Sequence, residues 1–356
     1  MAGPITRVDG GTITTARGFR AGGTYVGIKT YSEDKMDMGL LLSDTPCAVA
    51  GVFTKSSLVS PSVTVNRETI AAGGPVRGLV VNSGIANAGV GEQGYVDAKE
   101  MAAVAATGLG VKPEEVLVFS TGVIGVELPM TLIHKGVGEI ELSDDGGNAL
   151  ARSMMTTDTR TKEAAVSVAV GGAEVNICGV AKGSGMIHPN MATMLCFVAT
   201  DAAVEQDFLR SILPDIADST LNMLDIDGDT STNDSLVVLA NGAAGNASIT
   251  AGSADADSFR DALKDVLVQL TRQLAQDGEG ATTLIVAEVQ GAQNTADARI
   301  VAKTITSSLL VKSAVYGADP NWGRLIMALG RSGAEMVRSE ERRAGNECRS
   351  RWSPYH

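Results

Sequence analysis

The chain has 356 residues, 44% of them hydrophobic, and a formal net charge of -12. That length supports one large core or two medium ones, and the acidic balance excludes a general nucleic-acid binder, which needs a basic face. No apolar run reaches the roughly 18 residues of a membrane span, and the opening MAGPITRVDGG lacks the apolar centre of a signal peptide, so a cytoplasmic location is expected.

Residues 1–50 alternate glycine-rich turns with short apolar runs. AVAGVFTKS (48–56) reads as a strand, and RGLVVNSGIANAG (77–89) as a buried strand entering a small-residue turn. DAKEMAAVAATGLG (97–110) has helical apolar spacing and ends in glycines. VLVFS (116–120) is a strand leading into TGVIG, and a helix is expected from Pro129 to Gly138. EAAVSVAVGGAEVNICGV (163–180) predicts a hairpin turning at Gly171 and Gly172. MLCFVATDA (194–202) is the next strand. DFLRSILPDIADSTLNML (207–224) is helical, with a break expected near Pro214. SLVVLANG (235–242) is a strand, and DSFRDALKDVLVQLTRQLAQ (257–276) carries the strongest helical pattern. TTLIVAEVQGA (282–292) reads as a strand, and residues 296–317 return to helix. Long helices mixed with β-rich runs predict an α/β (α+β) fold.

Several familiar sites fail on spacing. DIDGDTSTNDS (225–235) suggests a calcium loop, but an EF-hand needs glycine and glutamate where Thr230 and Leu236 stand. A polar loop bonding its own backbone is the better reading. AKGSG has the wrong glycine–lysine order for a phosphate-binding loop. His134, His188 and His356 share no metal-ligand spacing, so no metal is expected. Cys47, Cys178, Cys196 and Cys348 form no CxxC and read as free thiols in a reducing compartment.

A catalytic hydroxyl needs a base. No G-x-S-x-G elbow supplies one. A threonine that becomes a new N-terminus carries its own base, because its α-amine titrates near neutrality. Thr193, behind KGSGMIHPNMA and before the run from Met194 to Thr200, is placed for that chemistry. By residue type alone, an ordinary strand-opening threonine is far commoner.

KGSGMIHPNMATML (182–195) resembles the self-cleavage site of the bifunctional ornithine acetyltransferases, also called glutamate N-acetyltransferases, of arginine biosynthesis. MTTDT (155–159), VFSTGVIG (118–125), DGDTSTND (227–234), DGEGAT (277–282) and VKSAVYGADPNWGR (311–324) agree in order, so the resemblance spans about residue 10 to about 335. Ile85 and the pair Gly89-Val90 depart from the family pattern in a loop. The resemblance implies a layered helix/sheet sandwich. It also implies cleavage between Ala192 and Thr193, giving segments 1–192 and 193–356 that stay associated, as a heterotetramer. Thr193 would be the nucleophile, and Thr121 and Gly122 an oxyanion-stabilising pair. Thr156, Lys182, Thr193 and Glu279 would contact substrate.

Without the resemblance, Thr121-Gly122 reads as a strand-to-loop turn, Lys182 as a solvated lysine and Glu279 as a surface acid. Asn321 and Arg324 suit structural duty as well as contact. The implied reaction moves acetyl from N2-acetylornithine to glutamate through an ester on Thr193, with no cofactor. Some family members accept acetyl-CoA as donor, and the sequence leaves that co-substrate open. The alternatives are an N-terminal-nucleophile aminopeptidase or amidase, and a catalytically impaired scaffold. The last alternative rests on residues 338–356, which hold Arg338, Arg342, Arg343, Arg349 and Arg351 without apolar periodicity. They read as a truncated or altered end after about 337, with weak or absent transfer expected.

Overall fold

The computed structural model describes residues 4–30, 35–188 and 194–335. The expected cleavage pair Ala192–Thr193, Cys348, His356 and the arginine-rich stretch 338–356 lie outside these residues. The first half of the chain forms β1 (Thr6–Arg7), β2 (Phe19–Thr24), β3 (Met38–Phe53), α1 (Pro61–Ala71), β4 (Val76–Ile85), α2 (Gln93–Leu109), β5 (Val116–Val123), α3 (Met130–Glu139) and α4 (Gly147–Met154). The second half forms β6 (Lys162–Val170), β7 (Ala173–Lys182), β8 (Leu195–Thr200), α5 (Gln206–Ser219), β9 (Ser235–Ala240), α6 (Ala256–Gln276), α7 (Thr295–Thr306), α8 (Leu309–Tyr316) and α9 (Trp322–Gly330).

The strands pair in the order β1-β6-β7-β8-β9-β3-β4-β5, with β2 on the other side of the first half of β3. β3 changes partners along its length. Met38–Leu42 pairs with β2 and β4, whereas Ala48–Phe53 pairs with β9, and the register shifts between Leu42 and Cys47. Pairing is parallel for β4–β5 and β8–β9 and antiparallel elsewhere.

The two halves of the sheet stack face to face. Phe119 of β5 lies 4.5 Å, ring centre to ring centre, from Phe197 of β8. Alternation then sorts each strand between two cores. In β8, Leu195, Phe197 and Ala199 enter the layer between the sheets, while Cys196 and Val198 face α5 and α6. In β4, Leu79 and Val81 point inward and Val80 faces α2. Strands buried on both faces read as continuous apolar runs, which is why they were legible. The layers are helix, sheet, sheet, helix: the expected α/β sandwich.

α6 buries Phe259, Leu263, Val266, Leu267 and Leu270 completely. Each such side chain stabilises by about 1.5–3 kcal/mol. Cys47, Cys178 and Cys196 are buried free thiols. Among the described residues no helix is long and apolar enough to cross a membrane.

Three expectations are corrected. Residues 282–292 form no strand, because they pair with none among the described residues, and Val286 is 72% exposed. β-prone side chains do not make a strand without a partner for the backbone. Second, α5 runs through Pro214 without breaking. Its buried face of Phe208, Leu209, Ile212, Leu213 and Ile216 outweighs one lost hydrogen bond. Third, residues 296–317 are two helices, the second restarted by Ser308, whose hydroxyl accepts the Val311 N–H.

Candidate active site

Near the end of the parallel pair β4–β5, Gly84 faces Gly122 and the register becomes irregular. Gly122 has φ of 134°, and a Cβ on it would lie 2.2 Å from the Gly84 carbonyl carbon. Only glycine allows the strands to approach there. Thr121, one residue earlier, is half-buried and pairs with Ser83. β7 ends at Lys182, opposite Leu195 at the start of β8. The Lys182 Nζ donates to Thr121 Oγ1 at 3.2 Å and to Thr156 Oγ1 at 3.0 Å. Burial lowers the pKa of this amine, and the charge of Asp158 is the largest influence opposing the shift.

Thr156 sits in a tight turn whose N–H donates to Asp158 Oδ2 at 3.0 Å. The other Asp158 oxygen accepts the Gly183 N–H at 2.6 Å, tying this turn to the end of β7. Burial raises the Asp158 carboxyl, but the charges of Lys182 and Lys162, with hydrogen bonds from Lys162 and the Thr156 backbone, overcome it and hold the pKa at about 2. A carboxyl depressed on folding contributes stability above its unfolded pKa of about 3.9, and that stability is lost as pH falls through the folded value. We therefore expect the melting temperature to drop between pH about 4 and about 2, and expect Asp158→Asn to flatten that step in a thermal-melt series. Equal slopes for the two proteins would refute the assignment.

Glu279 follows the end of α6, and its N–H donates to Ser184 O at 2.8 Å. Its carboxylate lies over Gly185, where a Cβ would stand 2.5 Å from Oε1. Thr121, Gly122, Thr156, Lys182 and Glu279 thus all line one cavity of about 510 Å³. Met194, the first described residue after the expected cleavage site, lines it too. The cavity brings a lysine, an acid, a hydroxyl and a glycine turn to the point where the chain enters β8.

Asn321 and Arg324 are elsewhere. Asn321 Oδ1 caps α9 by accepting the Arg324 N–H, and the Arg324 guanidinium donates to Leu310 O and Ser313 Oγ. Residues 231–234 also line the cavity; they were read as a polar loop and as part of the matching DGDTSTND motif, but not as site residues. Asn233 Nδ2 donates to Ala86 O and Ser120 O, bracing the loops beneath Thr121. The match of DGDTSTND to the family pattern was the available signal. Asp227 fits the polar-loop reading, accepting the Met186, Ile187 and Asp229 N–H groups.

A two-sheet sandwich with hydroxyl, lysine and glycine groups gathered around one cavity at a strand end defines an α/β protein with an enzyme-like polar site. The chain belongs to the ArgJ family, whose profile matches residues 20–344. It is 48% identical to the arginine biosynthesis bifunctional protein ArgJ of Dehalococcoides mccartyi, over 94% of this chain and 83% of the relative. It is 50% identical to the protein of the same name from Symbiobacterium thermophilum, over 92% of this chain and 81% of that one. The crystal structure of the arginine biosynthesis bifunctional protein from Bacillus halodurans shares 38% identity and a TM-score of 0.52, covering 54% of this chain and 100% of that chain.

Proposed function

We propose that the chain cleaves itself between Ala192 and Thr193 and then transfers acetyl from N2-acetylornithine to glutamate. The observation that carries this reading is the Lys182 amine, bonded to both Thr121 Oγ1 and Thr156 Oγ1 in the cavity that Met194 lines. The Thr121 oxygen accepts from Lys182, so its own proton is free to donate to a developing oxyanion beside the Gly122 N–H. One such donor is typically worth about 3 kcal/mol.

In the first half-reaction the Thr193 hydroxyl oxygen bonds to the acetyl carbon, and its proton passes through the Thr193 α-amine to the departing ornithine nitrogen as the C–N bond breaks. In the second, the glutamate amine bonds to the ester carbon, the C–O bond to Thr193 breaks, and a proton from that amine passes through the Thr193 α-amine to the Thr193 oxygen. Two easier steps replace one hard transfer. Glu279 offers its charge to a substrate ammonium. Lys182 and Thr156 orient the polar end of the substrate. No cofactor takes part, and acetyl-CoA would enter at the same nucleophile as an alternative donor. The cleaved segments stay together because β8 remains paired to β7 on one side and β9 on the other, and two such pairs assemble as a heterotetramer.

The test is intact mass spectrometry of protein given acetylornithine alone. One acetyl group should appear on the fragment that begins at Thr193, and glutamate should discharge it. Discharge by water at the same rate would identify an amidase. Cleavage without any acetyl-enzyme would identify an impaired scaffold. For Lys182→Met, which keeps the length of the stem, kcat/KM should fall roughly 100-fold, as two hydrogen bonds from a charged donor are lost. A fall below about threefold in steady-state assays would remove Lys182 from the site.

A further inference from the structure

Lys162 opens β6 with a completely buried side chain, and the transfer chemistry gives it no part. Its ammonium bonds Asp158 Oδ1 on one side and Asp277 Oδ2, at 2.5 Å, on the other. Both carboxylates are otherwise engaged with the loops around the cavity. Asp158 accepts the Thr156 and Gly183 N–H groups, and Asp277 accepts the Thr159 N–H at 3.0 Å and the Thr159 hydroxyl. Asp277 lies two residues before Glu279, and Gly183 directly follows Lys182. One buried cation therefore joins three segments: the turn bearing Thr156, the strand end bearing Lys182 and the helix end leading to Glu279.

An apolar side chain would fill this space without desolvating a charge, so stability alone is a weak reason for a buried ion pair. We propose that Lys162 is a positioning residue of the transfer site: by holding Asp158 and Asp277 together, it fixes Thr156, Lys182 and Glu279 on one cavity. The kinetic part of this proposal rests on the acetyl-transfer reading. The electrostatic part does not. Asp158, Lys162, Asp234 and Glu279 act on the Lys182 amine, and Lys29 is close enough to interact with it. Within this group Asp158 is shared between Lys162 and Lys182. Removing the Lys162 charge leaves Asp158 to Lys182 alone, which favours the protonated amine. Removing the Asp277 charge commits Lys162 to Asp158, which disfavours it.

The experiment uses the full chain labelled with ¹³Cε-lysine, the Lys182 resonance being assigned by its loss in Lys182→Arg. Its titration midpoint should rise in Lys162→Met and fall in Asp277→Asn. A purely structural role would change the melting temperature without this opposed pair of shifts. Assayed with acetylornithine and glutamate, Lys162→Met should lose roughly tenfold in kcat/KM, mostly through KM. If Lys162→Met does not fold, Asp277→Asn decides, since its effect reaches Lys182 through Lys162. A Lys182 midpoint that stays at the wild-type value in every folded variant overturns the proposal. An inactive wild type with both shifts present would instead sink the acetyl-transfer reading and leave the positioning network standing.

Discussion

Gly122→Ala is expected to lose roughly a thousandfold in transfer rate while remaining folded. Two features of this position act together. Its φ of 134° is a backbone conformation that an L side chain rarely adopts, and the added methyl would stand 2.2 Å from the Gly84 carbonyl carbon and 2.6 Å from the Ile85 nitrogen. Both obstacles are backbone, so no side-chain rotation relieves them. Relief comes from rotating the Gly122 peptide or parting the ends of β4 and β5. Either movement takes the Gly122 N–H away from the proposed oxyanion position, and it disturbs the Thr121 hydroxyl next to it. The fold should survive because the part of β5 that anchors the core, Val116–Phe119, lies upstream and is fully buried. Gly125→Ala is the control. Gly125 also has positive φ, at 85°, but a Cβ there has open space, so the strain is similar and the clash is missing. Single-turnover rates and melting curves for the three proteins settle the matter. If Gly122→Ala retains activity within about tenfold of the parent, the oxyanion assignment is wrong.

The inner strands were legible because both of their faces are buried. The LVV of β4 reads as one apolar run since Val80 meets the helical layer while Leu79 and Val81 meet the other sheet. The same rule misled at residues 282–292, where an apolar run has no neighbouring strand among the described residues. The first half of β3 was missed because SDTPC, with its exposed turn-like residues, follows it in the middle of the strand. α1 was missed because Val63, Val65 and Thr64 favour strands. Its start is set by Ser60, which accepts the Ser62 N–H, and by Pro61 at the first turn.

The site was legible in a different way. Thr121, Thr156, Lys182 and Glu279 share no spacing that periodicity could connect, and resemblance alone grouped them. The structure explains why four distant motifs belong together: the ends of β5 and β7 and two turns converge on one cavity. Lys162 was not found, because a lysine at the start of KEAAVSV reads as a solvated strand end. Its burial depends on carboxylates at positions 158 and 277, and no local pattern shows that they meet.

The largest effect is expected at Thr193. Thr193→Ala should remain uncut and should lose transfer by a factor on the order of 10⁴ or more, the usual scale for removing a nucleophile. Cleavage, as proposed, begins when the Thr193 oxygen attacks the Ala192 carbonyl carbon. The peptide C–N bond breaks, the nitrogen takes the proton, and water then hydrolyses the ester to free the Ala192 carboxylate. Without the hydroxyl no ester forms, so the α-amine that serves as base is never released. One substitution therefore removes nucleophile and base together. The framework that presents this point of the chain does not depend on the hydroxyl. Leu195 is paired to Lys182 on one side and Ser235 on the other, and the Met194 carbonyl accepts the Ser235 N–H at 2.9 Å. The variant should accordingly melt near the temperature of the uncut precursor. Thr193→Ser keeps an oxygen in place and should restore cleavage and part of the transfer rate, which separates loss of chemistry from loss of packing. Denaturing gels show the cut, and intact mass after exposure to acetylornithine shows the acetyl group. A Thr193→Ala chain that still divides at this bond, or still takes up one acetyl group, would place the nucleophile at another residue.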